Sequence, residues 1–114
     1  MMHFFLNSNE DFEQAAPLIF QALGVAKYLE GDSSNVMGGY YYSYAVFGTN
    51  IKLEQNSYDY EDRYKFMLTV KKDITSLTID SAILNLIYEV IGKLLKSNLK
   101  MDIAVEDDNG LKEV

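Results

Sequence analysis

Apolar positions recur along this chain with two periods. Phe12, Ala15, Ala16, Ile19, Phe20 and Leu23 follow helical spacing and share one face. Ser8 or Asn9 is placed to cap that helix, and Glu10, Asp11 and Glu13 suit its N-terminal dipole. Pro17 removes a backbone donor and crowds the Glu13 carbonyl, which predicts a kink or restart; Gly24 predicts a stop. Later, Tyr64, Phe66, Leu68 and Val70 alternate with Lys65, Met67, Thr69 and Lys71, the period of a half-buried strand. Residues 78–97 are the clearest helix, with Thr78 as cap, Asp80 in the first turn, and Lys93 and Lys96 in the last. Its apolar residues sweep an arc of roughly 220°, wider than the usual stripe. That predicts burial on more than one side, deep between the sheet and the first helix, with an oligomer contact as the alternative.

The remaining segments read as strands and turns. Residues 1–6 form an edge strand or an ordered lead-in, and residues 25–30 a first strand. Gly31-Asp32-Ser33-Ser34-Asn35 and Gly38-Gly39 mark a loop. A tyrosine-rich strand at 40–47 turns through Gly48-Thr49-Asn50 into a strand at 51–55. After the long helix, residues 99–105 alternate as a closing strand, with Met101, Ile103 and Val105 on one face. Asp107-Asp108-Asn109-Gly110 is a turn, and the last residues are expected to be loose. The predicted fold is one α+β domain over 1–114, a mainly antiparallel sheet of about four to five strands packed with an N-terminal and a long helix.

Charge narrows the function classes. The chain has 17 acidic and 10 basic residues, a net charge of −7. A duplex-binding protein carries the opposite balance, so nucleic acid and anionic membrane are disfavoured and a basic protein partner is admitted. The plainer meaning of such acidity is solubility. Cysteine is absent, which removes disulfides and thiolate sites and favours a cytoplasmic location. The apolar start, residues 1–6, is too short for a signal-peptide core, and no run approaches the ~20 apolar residues of a membrane span.

Little in the chain carries chemistry. His3 is the single histidine, so no triad or two-histidine metal site can be built, and it reads as a strand residue without a role. Asp59, Glu61 and Asp62 lack the spacing of a calcium loop, and no glycine loop has the pattern of a phosphate cradle. No catalytic, metal or cofactor site is expected. What stands out is Asn56-Ser57-Tyr58-Asp59-Tyr60-Glu61-Asp62-Arg63-Tyr64, where tyrosines interleave with carboxylates between two strands. Tyrosine offers rigid contact area with a polar tip, and carboxylates attract a basic partner. Tyr40, Tyr42 and Tyr44 share one face of their strand, while Tyr41, Ser43 and Ala45 share the other. Packing of one face in the core with Tyr41 exposed is the expectation; a pocket lined by Tyr40, Tyr42 and Tyr44 is the alternative. Acids concentrate in two places: Glu54 with Asp59, Glu61 and Asp62, and the tail with Glu106, Asp107 and Asp108. If the two meet in space they form one acidic face.

Residues 39–48, Ile51-Lys52-Leu53-Glu54, Asn56 through Asp62, and Tyr64-Lys65-Phe66-Met67 together resemble bacterial immunity proteins of contact-dependent growth inhibition systems. The resemblance covers about residues 28–72. It implies a small, cytoplasmic, non-enzymatic protein that binds and neutralises the toxic C-terminal domain of a cognate delivered protein, often a nuclease. Members of that family differ in fold, so a role is implied more firmly than an architecture. The expected contact residues are Tyr58, Asp59, Tyr60, Glu61, Asp62 and Glu54, with Glu106, Asp107 and Asp108 as secondary contributors. A self-associating adaptor module is the competing expectation.

Overall fold

The computed structural model describes residues 1–33, 36–74, 79–107 and 109–114. The elements are β1 (Met2–Asn7), α1 (Phe12–Ala22), β2 (Leu29–Ser33), β3 (Val36–Val46), β4 (Thr49–Gln55), β5 (Phe66–Lys72), α2 (Ser81–Asn98), β6 (Asp102–Asp107) and β7 (Gly110–Glu113). The fold is α+β. Its antiparallel sheet has seven strands in the order β2-β3-β4-β5-β1-β6-β7, more than the four to five expected.

The surplus strands lie at the two ends of the chain. β1 is an interior strand rather than an edge, antiparallel to β5 on one side and to β6 on the other. Phe4, Phe5 and Leu6 are all buried, because this strand is covered on both faces. The tail is not loose: β7 pairs with β6 from Asp107↔Gly110 to Ala104↔Glu113. The expected loop at 31–39 is mostly strand, since β2 reaches Ser33 and β3 starts at Val36; Ser34 and Asn35 lie outside the described residues. Gly38 and Gly39 keep positive φ within β3, and a Cβ on Gly39 would stand 2.9 Å from the Gly31 carbonyl oxygen, so the backbones approach where only glycine fits. The β3–β4 turn is Phe47-Gly48 rather than Gly48-Thr49-Asn50. Val46 pairs with Thr49, and both turn residues have positive φ, as a two-residue primed hairpin turn needs.

Both helices pack on one face of the sheet. α1 contributes Phe12, Ala15, Ala16, Ile19 and Phe20; α2 contributes Tyr88, Ile91 and Leu95; the strands supply Phe4, Leu6, Ile51, Leu53, Phe66, Leu68, Val70 and Ile103. The N-caps are Asp11 and Asp80, whose side chains accept from Gln14 N and Ile83 N at 2.9 Å. Ser8 instead accepts from Glu10 N, and Thr78 lies outside the described residues. α1 runs unbroken through Pro17. Glu13 and Pro17 are both exposed, so water can reach the carbonyl that Pro17 leaves without a donor. The helices are tied where they end by Asn98 Nδ2 donating to the Ala22 carbonyl at 3.0 Å.

α2 is not buried on more than one side. Ile83, Leu86 and Val90 are 42%, 60% and 45% exposed, on the side away from the core. The expected period also fails at Tyr64. That residue precedes β5 and packs with Phe5, Met67 and Ala104 on the opposite face from Phe66, Leu68 and Val70.

Candidate functional site

The second face of the sheet carries no helix, and strand register writes its surface out in rows. One row runs Tyr40, Glu54, Met67, Phe5, Ala104; its neighbour runs Tyr42, Lys52, Thr69, His3, Glu106. Tyr40, Tyr42 and Tyr44 form a ladder of ring contacts with centroids 5.5 and 5.2 Å apart. Tyr41 points the other way into the helix-covered core, against Phe12 and Tyr28, so the expectation that it is exposed is reversed. Burial pushes its phenol pKa up, with Glu30 adding to the shift.

The connection from β4 to β5, residues 56–65, folds back over this face. Asn56 organises it from a buried position. Its Nδ2 donates to the carbonyls of Asp59 and Tyr64 at 2.9 and 3.0 Å, and its Oδ1 accepts from Tyr58 N at 3.1 Å. Arg63 N and Tyr64 N both donate to the Tyr60 carbonyl, closing a tight turn in which Tyr60 has φ 62°. Tyr60 meets Phe5 edge-on at 5.4 Å between centroids, and Tyr64 sits beside the same ring. Hydrogen bonding toward the Glu106 carboxylate, with some desolvation, raises the Tyr60 phenol pKa. Tyr60 and Tyr64 therefore fasten the loop, while Tyr58, 53% exposed, faces outward.

Between loop and strands lies a concavity of about 450 Å³ lined by residues that include Phe5, Glu54, Tyr58, Asp59, Met67 and Glu106. Glu54 is only 3% exposed, held in mid-sheet between Tyr40 and Met67. Lys52 Nζ stands 4.0 Å from its Oε2 and 4.9 Å from the Tyr40 ring centroid. Burial raises the Glu54 pKa, and Lys52 and then His3 pull it down without cancelling the rise. His3 is also joined to Thr69 by a 3.0 Å hydrogen bond. The two acidic regions thus meet in part: Glu54, Asp59 and Glu106 share one concavity. Glu61 and Asp62 are exposed on the loop, outside that lining. Asp107 lies on the helix side, in a cleft against α2, and Asp108 is outside the described residues. The face is mixed rather than purely acidic, since Lys52 and Lys71 also line the concavity. Period-two counting from Glu54 through Lys52 could have found Lys52; nothing local marks Phe5, His3 or Asn56, whose roles depend on distant partners.

Among the described residues no group of three or more histidines or carboxylates is placed to hold a metal ion, and no helix is long and apolar enough to cross a membrane. What the arrangement offers chemically is recognition: carboxylates around an apolar floor of Phe5 and Met67, with exposed tyrosine rings beside it. Comparison with protein-family models, with curated proteins and with solved structures gave no match.

Proposed function

We propose that this chain is an immunity protein of a contact-dependent growth inhibition system. It acts in the cytoplasm without catalysis, binding the basic, nuclease-type C-terminal toxin domain of a cognate protein through its helix-free sheet face. One observation carries the choice of face: Glu54, Asp59 and Glu106, from a strand, a loop and another strand, line one concavity beside the exposed Tyr58. The apolar floor of Phe5 and Met67 suits the stem of an arginine or lysine, and the carboxylates suit its head. Tyr58 and the outer tyrosine ladder add aromatic area of the kind that anchors interfaces. Glu61 and Asp62 extend the negative potential that steers a basic partner inward. Neutralisation follows by covering the toxin's active site or substrate groove.

The test is co-expression with the C-terminal domain of a large secreted protein encoded next to this gene, followed by co-purification. The triple change Asp59→Lys, Glu61→Lys, Asp62→Lys should slow association at least tenfold at low salt and flatten its salt dependence. Toxin capture at an unchanged rate would move the interface elsewhere, and no capture by the parent chain would end the toxin-binding reading.

A second reading, self-association through α2, is favoured by the outward row of Ile83, Leu86 and Val90. Leu86→Glu should then convert a sedimenting dimer into a monomer. A monomer at all concentrations in the parent protein removes that reading.

A further inference from the structure

Glu54 is held differently from its buried polar neighbours. Thr49 Oγ1 donates to the Val46 carbonyl at 2.6 Å, Ser43 Oγ to the Lys27 carbonyl at 3.2 Å, and Asn56 uses both ends of its amide. Glu54 has instead one ion pair among the described residues, to Lys52 Nζ at 4.0 Å. A charged hydrogen bond to a carboxylate is shorter, roughly 2.8 Å. A carboxylate taken out of water is costly unless it is paired and hydrogen-bonded, so this one is under-supplied with donors.

Its oxygen can be approached from the open side. Lys52, with its side chain 41% exposed, brings its ammonium to Glu54 Oε2, and both residues line the concavity beneath the 56–65 loop. The same ammonium stands 4.9 Å from the centroid of the Tyr40 ring. That ring is braced: it lies over Gly31, where a Cβ would collide with it, and the Tyr42 ring is 5.5 Å away. One flexible ammonium thus serves a ring face and a carboxylate, the latter at the long end of ion-pair distances. Asp59 and Glu106 add negative charge around this point, and Lys71 opposes them.

We propose that Glu54 and Tyr40 form the seat of a guanidinium, an arginine side chain of the protein partner, and that Lys52 is the placeholder it displaces. A planar guanidinium can donate to the carboxylate through its edge while its face lies on the Tyr40 ring; a lysine ammonium has no such face. The inference rests on the toxin-binding reading only for the identity of the partner.

Three probes separate charge from shape: the N-acetyl methylamides of arginine, lysine and citrulline, the last being uncharged. Titrations are followed on the methyl resonance of Met67 in the full chain at neutral pH. The arginine probe should bind about fivefold tighter than the lysine probe or better, and the citrulline probe weakest. Glu54→Gln, which keeps the side-chain volume, should erase the preference for arginine over lysine. Lys52→Met should strengthen arginine binding about fivefold, whereas Lys71→Met, which removes the same charge from the same concavity, should change it less than about twofold. Equal affinity for arginine and lysine overturns the proposal. So does a preference that survives Glu54→Gln, an equal gain from Lys52→Met and Lys71→Met, or the absence of saturable shifts with any probe. Toxin capture together with any of these results removes the seat and leaves the toxin-binding face standing. An arginine preference that meets the tests without toxin capture keeps the seat and assigns it to another arginine-bearing partner.

Discussion

The two faces of one sheet use the same strands for opposite purposes. On the helix-covered face the row Leu53, Leu68, Phe4 is closed over by α1 and α2 and is almost wholly buried. One residue along each strand, the row Lys52, Thr69, His3 carries polar groups on a face without a helix. A single-residue step in register exchanges the two sets, so pairing must be specified strictly. The covered face is uniform and apolar, where energy scales with area. The open face mixes charge, aromatic rings and one buried carboxylate, where energy depends on particular partners.

The comparison can be broken most severely from the covered side. Leu68 is fully buried at its centre, and Leu68→Ala should lower stability by about 2–5 kcal/mol in urea unfolding, through lost transfer and a residual cavity. A loss below about 1 kcal/mol would mean that the helices repack over the gap. On the open side the largest single effect should come from Asn56→Ala. It removes the partner of two carbonyls and one amide and should cost about 1–3 kcal/mol, with faster hydrogen exchange at Tyr58 and Tyr64. Exchange unchanged at those amides would show that the aromatic contacts alone hold the loop.

Glu54 gives the subtler contrast, because its effect depends on pH. Its folded pKa is raised, chiefly by burial, so the folded state holds the proton more tightly than the unfolded chain. The resulting stability is complete below the unfolded value, about 4.3, and is lost as pH rises through the folded value. Wild-type stability relative to Glu54→Gln should therefore fall over that window and then level off. A difference that grows with pH would mean that Lys52 and His3 outweigh desolvation.

How far the sequence foretold each face follows from the range of the interactions. The α1 core positions from Phe12 to Leu23 were legible because one helix period fixes them. Its cap was not, since Ser8, Asn9 and Asp11 are all competent and only the position of buried Phe12 selects Asp11. The alternation of Phe66, Leu68 and Val70 was legible, but extending it back to Tyr64 crossed out of the strand. The apolar arc of α2 was visible, yet periodicity cannot tell a face buried within the chain from one left open. For the candidate site, the tyrosines and acids of 56–64 drew notice by composition. Their division into fasteners (Tyr60, Tyr64) and outward groups (Tyr58, Asp59) depends on Phe5 and Glu106, which are far away in sequence.

The interior position of β1 sets an order of events during folding. Its partners run from Phe66 to Val70 on one side and from Asp102 to Glu106 on the other, so each pairing closes a long stretch of chain. The β2-β3-β4-β5 meander needs only neighbouring segments and can assemble first, during synthesis as well as in refolding. Until residue 66 is available, β1 is an apolar strand with neither edge satisfied, the kind of segment that recruits other chains. Pulse-labelled hydrogen exchange during refolding should show β3 and β4 amides protected before those of β1. Simultaneous protection would place the long-range closure in the earliest step instead.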